Sequence, residues 1–210
     1  MQTLSMRARL PCSILMTALV VMAPAWGQTV PSVADTPAAA PASARALSPR
    51  YLLMSPGGRA ITSEDFRGRL QLVAFGFTSC PDVCPTTLLE MTHVLAALGD
   101  RAHFVQPIFI TVDPQRDTAQ VLGAYTLAFD SRILGLTGSD DLVRRAADSF
   151  KVQFQKVQEA GAHPDAYTMD HSAGMFLLGP DGVLLRKFGY GIPVADMVAP
   201  IQFWLNSSGK

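Results

Sequence analysis

Cys80 and Cys84 stand four positions apart in FTSCPDVCP (77–85), each followed by a proline. Two sulfurs at this spacing suit disulfide exchange, ligation of a soft metal, or a structural bridge. The bridge is the weakest reading, because a disulfide closing so short a loop removes little entropy from the unfolded chain. Pro81 and Pro85 disfavour helical backbone at the cysteines before them, so the pair is not expected to share a helix face. Pro85 suits the first residue of a helix, with Cys84 near its cap. Both thiols then lie on a loop against a helix N-terminus, whose partial positive charge favours thiolates and lowers their pKa.

A third ligand would separate metal binding from exchange. His93 falls within the helix expected after Pro85, His103 just before a strand and His163 in a hairpin turn, and all three read as surface or boundary side chains. His171, in YTMDHSAGMFLL, immediately precedes an apolar run that can form a strand beside the cysteine strand. Alone, such a histidine is usually a satisfied polar residue, and it becomes a ligand only if the two segments meet. Met169 and Met175 adjoin the apolar strand and are expected in the core. In DPQRDT, Asp113, Arg116 and Asp117 read as a strand end followed by a helix cap.

The elements that must position these residues follow from the hydrophobic pattern. YLLMSPGGRAITSEDFRG gives two short strands around a Pro-Gly-Gly turn. LQLVAFGFT (70–78) is a continuous apolar run suited to a strand buried on both faces. Leu88, Leu89, Met91, Val94, Leu95 and Leu98 fall at helical spacing, with Gly99 as terminator. HFVQPIFITVD is a second core strand. DTAQVLGAYTLAF and SDDLVRRAADSF are helices, the first with Asp117 and Gln120 at capping-box spacing. KVQFQKV opens a hairpin that turns near Gly161 and Pro164 and returns through Tyr167. GMFLLGPDGVLLRKFGYG gives two strands around a Pro-Asp-Gly turn, and VADMVAPIQFWL is a closing amphipathic helix. The result is an α/β fold with a central mixed sheet and flanking helices, an N-terminal hairpin and an inserted hairpin before the His171 strand. The cysteine loop lies at the strand-to-helix end where open α/β sheets usually place chemistry.

The chain has 210 residues, 49% of them hydrophobic, enough for one domain with terminal extensions. Basic and acidic residues number 17 each, which argues against a nucleic-acid partner. Arg7 and Arg9, the apolar run from Leu10 to Met22 and the small residues before Gln28 have the layout of a secretory signal, with cleavage expected after Ala25 or Gly27. The rival is an uncleaved anchor, since extension to Trp26 gives 17 apolar-dominated residues, at the short edge of a membrane span. Cys12 lacks the small preceding residues of a lipidation site. Residues 1–27 are therefore a signal peptide or membrane anchor, 28–47 an Ala/Pro-rich flexible linker and 48–210 the folded domain. Delivery outside the cytoplasm with cleavage leaves Cys80 and Cys84 as the only cysteines, in a compartment that oxidises spare thiols.

The blocks FGFTSCPDVCPTTL, TVDPQRDT and YTMDHSAGMFLLGPDG, with the terminal apolar helix, resemble the Sco/SenC family of copper proteins that serve cytochrome c oxidase assembly. The likeness covers about residues 48–206, and the blocks occur in the family's order. It implies a thioredoxin-like fold holding copper, Cu(I) or Cu(II), on Cys80, Cys84 and His171. Paired thiolates select Cu(I), imidazole admits Cu(II), and three protein ligands leave a position open for transfer. The implied role is a metallochaperone delivering copper to the binuclear copper centre of cytochrome c oxidase. Its implied partners are the oxidase subunit carrying that centre, a copper donor protein and a thiol reductant, and its location is the periplasm, secreted or anchored to the inner membrane. The alternative is a thiol-disulfide oxidoreductase that keeps the cysteines of that centre reduced, needing Cys80 and Cys84 but not His171. A peroxidase would require an activated peroxidatic cysteine, and no such arrangement is evident.

Asp82 and Asp170 flank the ligands, and either can orient His171 or tune the metal from outside the ligand set. A loop aspartate is more often a cap or a solvated charge. Ser79 stands where many relatives carry a bulkier residue or a histidine. MDHSAG lacks the proline that disulfide-exchanging thioredoxins place opposite their cysteines, which favours metal over exchange.

Overall fold

The computed structural model describes residues 46–158, 160–161, 163 and 166–209. The signal or anchor and nearly all of the linker lie outside them. Among the described residues no helix is long and apolar enough to cross a membrane.

The strands are β1 (Leu52–Met54), β2 (Ala60–Thr62), β3 (Leu70–Gly76), β4 (Val105–Thr111), β5 (Leu134–Leu136), β6 (Phe154–Gln158), β7 (Tyr167–His171), β8 (Met175–Leu178) and β9 (Leu184–Phe188). The α-helices are α1 (Val83–Leu98), α2 (Ala119–Leu127), α3 (Asp140–Phe150) and α4 (Val194–Ser207). The main sheet runs β5-β4-β3-β8-β9. β3 pairs parallel with β4, Leu70 opposite Val105 through Gly76 opposite Thr111, and antiparallel with β8. All seven residues of β3 are buried, as its unbroken apolar run requires of a strand covered on both faces. Helices over the mixed sheet make the expected α/β, thioredoxin-like architecture. β1–β2 and β6–β7 form separate two-stranded sheets, the N-terminal and inserted hairpins.

Four details depart from the sequence reading. Helix α1 starts at Val83, two residues before Pro85, so Cys84 lies inside its first turn. The first N–H groups of a helix have no intrahelical acceptor, so proline at the third position forfeits no bond. The first recorded bond of the turn runs from Thr86 N–H to the Asp82 carbonyl at 3.2 Å. At α2 the cap is Thr118, whose side chain accepts from Val121 N–H, and Asp117 turns inward. Strand β5 is only three residues long, too short to show a period in the sequence. His171 ends the return strand of the inserted hairpin and does not directly open β8.

Candidate metal centre

Helix α1 leaves the end of β3 so tightly that its first turn presses on the last strand residue. A Cβ added at Gly76 would stand 2.7 Å from Cys84 Sγ and 2.6 Å from Phe109 Cζ. Cys84 is thus seated over a bare backbone carbon, and only 1% of it is exposed. Its N–H donates to Cys80 Sγ at 3.4 Å, and Cys80 is partly exposed. Both thiols are free.

The two segments do meet. Cys84 Sγ and His171 Nε2 are 3.7 Å apart. Bonds of about 2.0 Å to nitrogen and 2.3 Å to sulfur, as zinc makes, span that distance when they meet at about 120°, an angle two ligands on one ion can make. The tautomer is suitable as well. His171 Nδ1 lies 3.2 Å from the Ser172 carbonyl, so it carries the proton and leaves the Nε2 lone pair facing the sulfur. The ring stands edge-on to Phe77, with centroids 5.9 Å apart. Cys80, Phe77, Pro81, Met169 and His171 line a pocket of about 170 Å³. Among the described residues no three His, Cys, Asp or Glu side chains form a ready-made cage. Cys84 and His171 stand at ligand spacing, and Cys80 lines the pocket beside them.

Electrostatics corrects one expectation. Burial pushes the Cys84 thiol far up, and the Cys80 side chain and the Asp117 charge add to this, while a backbone hydrogen bond at Phe77 works against them. Desolvation therefore outweighs the helix N-terminus, and Cys84 is not a free-standing thiolate. A bound cation would remove its proton outright. Burial lowers the His171 pKa, opposed by the Ser172 carbonyl and the Asp170 charge, so the imidazole is neutral and able to ligate.

Asp82 is the exposed residue before α1, and no hydrogen bond joins it to His171 among the described residues. Asp170 is exposed and reaches the imidazole only through its charge. The group that orients the ring is the Ser172 carbonyl, which no side-chain pattern could reveal. His93, His103 and His163 are exposed, Met175 is core, and Met169 is half-buried on the pocket wall.

The segment read as strand end and cap does more than that. Asp117 is fully buried and accepts from Thr78 N–H at 3.0 Å, Thr78 Oγ1 at 2.5 Å and Thr111 Oγ1 at 2.6 Å. It ties the start of the cysteine loop to the end of β4. Asp113, 3% exposed, pairs with Arg116 and accepts from the Tyr167 hydroxyl at 2.9 Å. The available signal was two acids and an arginine crowded against a core strand, where charges persist only when paired.

A thioredoxin-like α/β protein with two thiols at a helix start and an imidazole facing them from an inserted hairpin is the class that this fold and site define. The SCO1/SenC family model matches residues 39–206, and the chain belongs to that family. It is 38% identical over 138 residues to an SCO2-like protein of Rickettsia felis, an alignment covering 66% of this chain and 67% of that one. A copper-bound structure of ScoI from Bradyrhizobium japonicum is 35% identical with a TM-score of 0.69, covering 76% of this chain and all of that one. A copper-bound ScoI from Arabidopsis thaliana is 29% identical with a TM-score of 0.70, covering 77% and 99%.

Proposed function

We propose that this chain is a copper metallochaperone that holds Cu(I) or Cu(II) on Cys80, Cys84 and His171 and delivers it to the binuclear copper centre of cytochrome c oxidase during assembly. The observation that carries the reading is the 3.7 Å approach of His171 Nε2 to Cys84 Sγ with the opposite ring nitrogen bonded to a carbonyl. Two sulfurs and a neutral imidazole make a soft donor set that fits copper. Family membership and the copper-bound relatives support the cargo. Partners on this reading are the oxidase subunit carrying the centre, a copper donor and a thiol reductant. The location is the periplasmic side, secreted or tethered by residues 1–47.

The chemistry follows from the environment of each donor. Cys80, on the pocket rim, meets incoming metal first. Cys84 would release its proton to solvent as the ion binds, and the metal–sulfur bond would replace the energetic penalty of a bare buried thiolate. His171 completes the set from the hairpin and can leave without disturbing the sulfurs.

A second reading keeps support from one observation, the free and partly exposed Cys80 beside Cys84. As an oxidoreductase the pair would pass two electrons and two protons to a partner disulfide and itself become a disulfide. The raised Cys84 pKa weakens it, because thiolates and not thiols attack.

Copper titration of the reduced domain separates the readings. About one copper per chain is expected, with binding lost in Cys80→Ala and Cys84→Ala and weakened in His171→Ala together with a changed Cu(II) spectrum. Full affinity and an unchanged spectrum in His171→Ala would overturn the metallochaperone reading.

A further inference from the structure

Among the described residues the β6–β7 hairpin that carries His171 is no part of the main sheet, its strands hydrogen-bonding in a ladder only with each other. The chain enters the hairpin past Lys151, left-handed at φ +60°, and leaves through Gly174 at φ +111°. A Cβ at Gly174 would stand 2.3 Å from the Phe188 carbonyl oxygen, so this exit is open only to glycine. The arm thus stands on two sharp bends, and no main-sheet register fixes the Tyr167 end of β7.

What fixes it is the loop between β4 and α2. Arg116 Nη1 donates to the Tyr167 carbonyl at 3.0 Å, and the guanidinium carbon lies 3.8 Å from the Tyr167 ring centroid. Arg116 Nε is paired with Asp113 Oδ2, while Asp113 Oδ1 accepts from the Tyr167 hydroxyl at 2.9 Å. Asp113 N–H donates to Thr111 Oγ1 at 2.9 Å, and that hydroxyl in turn donates to Asp117, the carboxylate that holds the cysteine loop. One continuous run of hydrogen bonds therefore joins the first residue of the histidine strand to the start of the cysteine loop. The same guanidinium lies 5.8 Å from the centroid of Phe77, the ring against which His171 stands edge-on.

We propose that Asp113, Arg116 and Tyr167 are positioning residues that form a latch, setting the distance from His171 to Cys84 so that the imidazole ligates when the latch is closed and withdraws when it opens. The inference rests on the metal-site reading of Cys80, Cys84 and His171 and adds to it the device by which the third ligand is held and released. Charge-assisted and stacked contacts of this kind are strong enough to hold an arm, and few enough to be broken together.

Arg116→Gln removes the fork and the charge, and Tyr167→Phe removes only the hydroxyl, which gives a milder variant should the first fold poorly. In the metal-free protein, amide exchange at Thr168 to His171 is expected to accelerate at least tenfold in Arg116→Gln while Met175 to Leu178 stay unchanged. Copper(I) affinity of the same variant is expected to fall about tenfold, as loss of a ligand's supporting partner does, and by less in Tyr167→Phe. Introduced into His171→Ala, neither substitution should weaken binding further, because the latch acts through the imidazole. Equal weakening with and without His171, or wild-type exchange and affinity in the variants, would overturn the latch. Absence of copper binding by the wild-type protein would overturn the metal reading instead, and hydrogen exchange would still report whether the latch closes the arm.

Discussion

Cys84 is fixed by the core: it is 1% exposed, seated over Gly76 at the end of a strand buried along its whole length, within a helix anchored beside that strand. His171, 3.7 Å away, ends a hairpin whose first strand is largely exposed and whose ladder touches no other strand. Moving Cys84 means repacking Phe109 and β3, whereas moving His171 breaks no bond of the main sheet. A carrier needs this inequality. Donors that are all rigid would retain the cargo, and donors that are all mobile would bear the entropy of ordering at each capture. On the proposed site, with Cys84 on the fixed side, exchange of the imidazole would change affinity and prepare transfer.

The most damaging way to break the contrast is to loosen the fixed side. Asp117→Ala strands the Thr78 N–H and the hydroxyls of Thr78 and Thr111, all of which now bond to one carboxylate. A loss of about 3 kcal/mol is expected in denaturant unfolding, with Asp117→Asn retaining most of the stability because its carbonyl can still accept. A smaller loss, about 2 kcal/mol, is expected for Gly76→Ala, since the new methyl must displace the Cys84 sulfur and the Phe109 ring. Its copper affinity should fall even in variants that remain folded at room temperature. A Gly76→Ala protein with unchanged stability and metal affinity would show that Cys84 is not held by the core as described.

The asymmetry was half legible in the amino-acid sequence. The apolar run 70–78 announced a doubly buried strand, the helix after it was readable from its leucines, and FTSCPDVCP placed the thiols at their junction. The hairpin was readable from KVQFQKV and its Gly161 turn. Three things lay beyond local pattern. Whether His171 met Cys84 depended on strand order, with β8 pairing β3, and no residue near either site encodes that pairing alone. The high pKa of Cys84 arose because burial, a property of the packed whole, outweighed the local charge of a helix terminus that spacing does reveal. Asp113, Arg116 and Asp117 occupied a segment that a strand end and a cap explained adequately, and their true partners, Tyr167 and Thr78, lie 54 and 39 residues away.

The mildest perturbation acts on the arm alone, through pH in the metal-free protein. Burial holds the His171 pKa below its ordinary value, with the Asp170 charge and the Ser172 carbonyl opposing. As pH falls through about 6.5, the unfolded chain takes up a proton at this histidine before the folded one does. The folded state therefore loses stability from that pH downward, until its own imidazole is protonated. Denaturant midpoints at about pH 7.5 and about pH 5.5 should fall further for the wild type than for His171→Gln, which lacks the group. Asp170→Asn, by removing a charge that raises the folded pKa, should deepen the loss. Protonated imidazole cannot ligate, so below the His171 pKa the fall of copper affinity with acidification should steepen beyond that already owed to proton release by Cys84. Greater acid sensitivity in His171→Gln than in the wild type would mean that the folded site stabilises the imidazolium, and that the arm presents a cation and not a lone pair to Cys84.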